Sequence, residues 1–312
     1  MITRRKLIAV ALLSFASLGF AGGTGHAAER FDFTPQQTGR VRAGKNPEAV
    51  KAVGANFRFV KQGVFTVGIV PFAPPIATYA TDARTVIGSD ADYAQLVADA
   101  LGLQLALVPI AWADWPLGLA SGKYDAVISN VGVTEQRKEK FDFTSYRLGL
   151  HGFYAKADSA IRRISEPKDI AGLRVITGSG TIQEKIVLEW NRQNVAKGLK
   201  PIEIQYYDDD AAITVALLSG RADVNFNPNA PQAFQAAKDG KTRLVGTVNA
   251  GWPLKADVGI ATRRGSGLAE ALTIATNGLI KSGKYTQALA RWSLQAEAVP
   301  LSETNPRGLP NF

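Results

Sequence analysis

From Phe65 onward, short continuous apolar runs alternate with stretches in which apolar residues recur at helical spacing. Runs bounded by Gly or Pro fit buried strands, and the helical spacing fits one face of a helix. The run 65–70, stopped by Pro71 and the Pro74-Pro75 pair, reads as the first strand. Tyr93, Leu96, Val97, Ala100 and Leu101 then share one face of a helix over 90–101, ended by Gly102. A strand over 103–109, a short helix over 115–121 closed by Gly122 and a strand over 124–129 complete a first unit. The rhythm pauses over 147–168. It resumes with a strand over 173–177, a glycine-rich turn, a helix over 181–195, a strand over 203–207, a helix over 210–219 and a strand over 222–226. One further strand, 257–262, precedes helices over 268–280 and 285–294. This order predicts an α/β protein of two similar lobes in series, each a largely parallel sheet with helices on its faces. The expected boundaries are 64–150 for the first lobe, 151–254 for the second and 255–294 for a return to the first. Hinges are expected at 149–155 and 251–257, with a ligand cleft between the lobes.

The ends depart from this rhythm. Met1 to Lys6 is basic, Leu7 to Phe20 is apolar and small residues lead to Ala27, the order of a secretory signal peptide. Residues 1–27 are therefore expected to be cleaved on export, and the apolar run is short of the roughly 20 residues a bilayer needs. Residues 28–63, broken by Pro35, Gly39, Gly44, Pro47 and Gly54, predict an N-terminal extension wrapped on the surface. The tail 295–312, with Pro300, Pro306 and Pro310, predicts irregular chain. No later segment is apolar over the length of a span, so a soluble mature protein is expected.

Composition narrows the chemistry. The formal charge is +9, and removal of Arg4, Arg5 and Lys6 with the leader leaves +6. Lys and Arg are scattered among acids rather than gathered in a block, which argues against nucleic acid and fits attraction of an anionic solute. With no cysteine, disulfides, thiol catalysis and thiolate metal sites are excluded. One histidine, His151, remains after the leader, and no nucleophile elbow or metal-binding HExxH pattern accompanies it. A surface or linker histidine is the expected reading, with no cofactor and no metal.

The segment 121–144 reads SGKYDAVISNVGVTEQRKEKFDFT. It resembles the polar-amino-acid class of periplasmic solute-binding proteins, the extracellular solute-binding family 3 of ABC importers, and the similarity runs from about Val64 to Trp292. The resemblance implies two Rossmann-like α/β lobes joined by a hinge, the type II periplasmic-binding-protein fold, with the ligand in the interlobe cleft. It implies a periplasmic monomer that captures an amino acid or amino-acid-like carboxylate and hands it to an inner-membrane ABC permease. In the family the arginine of a TxxR element grips the ligand's α-carboxylate, and the match here is Arg137. Guanidinium suits this task because two parallel charge-assisted hydrogen bonds match a carboxylate. Asn130 and Gly132 match ligand-facing positions after a strand, and Gly132 offers only backbone where relatives often have a hydroxyl. The turn 178–184 matches a second-lobe loop whose amides meet the carboxylate, giving Gly180, Thr181 and Ile182 as contacts. Phe72 and Trp112 match positions that sandwich the ligand's side chain.

Three positions depart from the family. Pro228, within Phe226-Asn227-Pro228-Asn229, replaces the acid that meets the ligand's ammonium, leaving Asn227 and Asn229 as neutral polar contacts. Ile69 replaces a second frequent acid, and Gly88-Ser89-Asp90 opens the first helix without the usual apolar residue. A ligand lacking a simple α-ammonium is therefore expected, the other reading being that an acid among Asp208 to Asp210 reaches the ammonium and restores ordinary amino-acid binding. The alternative is an enzyme, since a few relatives are cyclohexadienyl or arogenate-type dehydratases with a glutamate near the second-lobe turn, where Glu184 stands here.

Overall fold

The computed structural model describes residues 31–54, 57–207 and 209–311, so the expected signal peptide lies outside the described residues. In chain order the elements are α1 (Pro47–Ala52), β1 (Val64–Ile69), β2 (Thr78–Tyr79), β3 (Val86–Ile87), α2 (Ser89–Leu101), β4 (Gln104–Pro109), α3 (Trp115–Ala120), β5 (Ala126–Val127), α4 (Glu135–Lys138) and β6 (Phe141–Leu148). Then come β7 (Leu150–Lys156), β8 (Arg174–Thr177), α5 (Ile182–Ala196), β9 (Glu203–Tyr206), α6 (Asp210–Leu218), β10 (Val224–Pro228), α7 (Asn229–Asp239) and β11 (Thr242–Asn249). β12 (Asp257–Arg263), α8 (Leu268–Lys281) and α9 (Lys284–Ala290) complete the set.

Two five-stranded sheets result, ordered β4-β1-β5-β12-β6 and β11-β7-β10-β8-β9. In each, three strands run parallel, and the strands that join the sheets pair antiparallel. α2 shows why the local sequence folds as it does. Its apolar face is buried, Gly102 ends it in the left-handed region at φ 68°, and Gly88 opens it where a Cβ would lie 2.4 Å from the Ile76 carbonyl oxygen.

The chain passes from one sheet to the other at Gly149 alone and returns over residues 250–256. The two crossings touch: Ala250 N–H donates to Gly149 O at 3.1 Å, and a Cβ on Gly149 would lie 2.5 Å from that of Ala250. Of the hinge expected at 149–155, all but Gly149 lies in strand β7, which runs between β11 and β10. The pause over 147–168 contains the whole of β7, and β6, α7 and β11 went unpredicted. The strand expected over 124–129 shrinks to Ala126–Val127 because side chains take the flanking amides. Asp125 accepts from Thr66 N–H at 2.8 Å and Ser129 Oγ accepts from Val70 N–H at 2.9 Å.

The two ends also join the lobes. The N-terminal segment lies on the first lobe through Arg40 and Arg42, which bind Asp92 and Asp99, yet Phe31 packs 5.5 Å from Phe234 of α7 and 5.3 Å from Trp292. The tail is irregular as expected: Leu309 N–H donates to Val133 O at 2.9 Å, while its side chain is buried in the second-lobe core with Phe153, Phe226 and Trp190. No helix among the described residues is long and apolar enough to cross a membrane.

Candidate ligand-binding site

The loop after β5 supplies the first wall. Asp90 accepts from Asn130 N–H at 2.8 Å, and Asn130 adopts φ 50°. Thr134 caps α4 by accepting from Arg137 N–H at 2.9 Å, which fixes the start of the Arg137 side chain. Its guanidinium lies 5.4 Å from the centre of the Trp112 ring and 5.6 Å from that of Trp115. One terminal nitrogen donates to Gly132 O at 2.8 Å, and the other crosses to the second lobe to donate to Gly180 O at 3.1 Å. No acidic side chain among the described residues forms an ion pair with it. Desolvation, unopposed by an anion, pushes its pKa down to about 10.

The turn between β8 and α5 supplies the second wall. Gly180 sits at φ 69° and Thr181 caps α5, accepting from Glu184 N–H at 3.1 Å. Ile182 is buried, and a Cβ on Gly132 would lie 2.3 Å from its Cδ1. Gly132 therefore leaves the space that Ile182 of the opposite lobe fills, a physical reason for glycine where relatives carry a larger residue. Lys185 also donates across the cleft to Gln136. With three contacts from lobe to lobe, the cleft is closed.

Trp112, Gly132, Arg137, Gly180, Thr181 and Ile182 are thus brought together. Asn130 is beside them, but its side-chain oxygen accepts from Arg147, itself paired with Glu297. Asn227 lies within β10 and donates to Asn225 Oδ1 at 2.6 Å, with Gln183 at 3.4 Å from its own oxygen. Asn229 opens α7 and accepts from Tyr154 O–H at 3.1 Å. Phe72, two residues past Val70, whose N–H donates to Ser129 Oγ, is 36% exposed. Ile69 is the last residue of β1 and fully buried with Ala77, Val86 and Ala91, so the residue just past the strand is Val70. Asp209, a neighbouring acid of the second lobe, is exposed and caps α6 through Ala212 N–H at 2.7 Å.

Sequence reasoning missed Trp115, whose only signal was its place three residues after Trp112, and it misplaced His151. That histidine is 5% exposed, not a surface residue, and both ring nitrogens lack a partner. Burial first, then the charge of Arg147, pushes its pKa down to about 3.

The model of the bacterial extracellular solute-binding proteins, family 3, matches residues 65–295. The chain belongs to that family. It is 30% identical over 183 residues to the L-cystine-binding protein TcyJ of Escherichia coli, a stretch covering 58% of this chain and 65% of that protein, just under two thirds of its length. It is 29% identical over 241 residues to the arginine-binding protein ArgT of Corynebacterium glutamicum, covering 75% of this chain and 76% of the relative. The solved structure of an ancestral arginine-binding protein bound to arginine superposes with a TM-score of 0.64 at 26% identity, over 74% of this chain and 98% of that one. The fold is the type II periplasmic-binding fold, with the cleft between two α/β lobes.

Proposed function

We propose that the protein is the extracytoplasmic receptor of an ABC importer, closing its lobes on a small carboxylate-bearing, amino-acid-like molecule and presenting it to an inner-membrane permease. One observation carries the reading: Arg137 is desolvated over two tryptophans, reaches both lobes and has no acidic partner. Guanidinium has five N–H donors, and the two carbonyl contacts leave donors for a carboxylate. A ligand anion there neutralises the desolvated charge of Arg137 and favours closure over opening. The localisation that fits is the periplasm after cleavage of residues 1–27, and the working unit is a monomer. Trp112, Gly132, Gly180, Thr181 and Ile182 shape the carboxylate end, and Asn130, Asn227 and Asn229 set the polarity around it.

The ligand lacks a simple ammonium, because no acid stands at Pro228 or Val70 to pair with one. Glu184, on which the dehydratase reading rests, spends its carboxylate on Gly180 N–H at 2.6 Å. Native mass spectrometry of the purified protein tests the reading. A co-purified molecule bearing a carboxylate is expected. A bound cation or an uncharged sugar would contradict it.

A further inference from the structure

His151 is the second residue of β7, two past the crossing at Gly149, directly opposite Pro228 of β10 and Val248 of β11. Its ring meets the Phe226 ring edge-on, with centroids 5.7 Å apart. Side chains alternate along a strand, so the registers place His151, Phe153, Phe226, Pro228, Val175 and Thr177 on one face of the second sheet. Thr177 falls one step beyond the Asn225–Ile176 pair, on the far side of Phe226 from His151. Its hydroxyl is fully buried and unpartnered, like both His151 nitrogens. The Gly178–Thr181 turn that meets Arg137 follows Thr177 immediately.

A neutral imidazole carries one donor and one acceptor, and leaving both unmet in the interior is costly. Native interiors keep few such groups, so two of them flanking one aromatic ring beside the carboxylate end mark a place where a polar partner belongs. That partner is not a cation. Pro228 supplies no carboxylate, and Arg147, 2% exposed and with an unpartnered Nε, adds positive charge beside the ring.

We propose that His151, supported by Thr177, is a specificity-determining ligand contact on the floor of the cleft, where it reads a neutral hydrogen-bonding group such as an amide, hydroxyl or acylated nitrogen. This rests on the reading that Arg137 holds the ligand's carboxylate. The ligand class is then a carboxylate with its nitrogen acylated, replaced or displaced.

Calorimetry with L-arginine, L-glutamine, N-acetyl-L-arginine and N-acetyl-L-glutamine, on wild type, His151→Leu, His151→Gln and Arg137→Ala, tests it. The N-acetyl probes are expected to bind more tightly than their parents. His151→Leu should weaken the tightest probe by about tenfold or more, and His151→Gln, which keeps a donor and an acceptor, should recover most of that loss. Without ligand, His151→Leu should melt at or above the wild-type temperature, since it removes two unmet polar atoms from the interior. Equal affinity of wild type and His151→Leu overturns the proposal. So does a ligand-free His151→Leu that melts well below wild type, which makes the ring structural. Unchanged binding by Arg137→Ala overturns the carboxylate reading instead, and a wild type that binds none of the probes contradicts both.

Discussion

The two lobes share a sheet architecture but bury different kinds of polar group. In the first lobe, buried acids are surrounded by fixed donors. Asp92 accepts from Arg40, Arg291 and the Trp292 indole, Asp90 from Asn130 N–H and Tyr146 O–H, and Asp125 from Val60 and Thr66 N–H. In the second lobe the polar groups around β10 are neutral, Gln183, Asn225, Asn227, Asn229 and Gln232, and buried atoms of His151, Thr177 and Gln232 have no partner. Closed networks hold loops in place, and open ones leave hydrogen bonds for something else to make. The first lobe is thus a charged scaffold that offers the desolvated guanidinium of Arg137, and the β10 end of the second offers neutral amides that read shape and hydrogen bonds.

Removing the charge that braces the scaffold should have the largest effect. Asp92→Ala leaves Arg40 and Arg291 facing each other over an empty acceptor, and about 3–5 kcal/mol of stability is expected to go. Asn227→Ala in the second lobe should cost less than about 1.5 kcal/mol, because its partners are neutral and it is itself half-buried. Urea unfolding of both variants checks this, and equal losses would erase the distinction between the lobes.

The next effect is pH dependence in the opposite lobe. The folded pKa of His151 is pushed down to about 3 from an ordinary 6.5, so the unfolded chain binds this proton more readily. Its contribution is fully present above pH 6.5 and is lost as pH falls towards 3, at about 1.4 kcal/mol per unit of difference and a few kcal/mol in all. Melting curves of His151→Leu should be flatter than wild type across that window. Parallel curves would mean the ring is solvated.

A smaller change sharpens the contrast from the other side. Pro228→Asp puts an acid into the neutral wall at the end of β10, where it also suits the start of α7. Binding of L-arginine or L-glutamine should gain about tenfold relative to the N-acetyl derivative, read by calorimetry. No shift in that preference would place the ligand's nitrogen away from β10.

The parallel α/β units were legible because their strands are apolar runs and their helices show clear faces, as in β1 and α2. β6 was not, since its Thr144, Ser145 and Arg147 are polar by pattern yet buried. They are satisfied by Ala269 O, by Glu303 N–H of the tail and by Glu297, partners more than a hundred residues away. β7 passed for a hinge because Gly149 and Gly152 punctuate it, and only pairing on both edges makes it a central strand. Arg137 was legible through its motif alone; its charged neighbours Glu135 to Lys140 also fit a solvated surface. What the motif could not convey is the fit of Gly132 to Ile182, a contact between lobes that local sequence does not encode.

The central claim is that the first lobe's unpaired guanidinium is kept for a ligand carboxylate. Calorimetric titration of Arg137→Ala with the best wild-type probe tests it most directly, alongside urea unfolding of the ligand-free variant. Binding should weaken by about 2–5 kcal/mol, on the order of 30-fold to several thousandfold, while stability is unchanged or higher because a desolvated charge has gone. Near wild-type affinity in a folded Arg137→Ala protein would contradict the account.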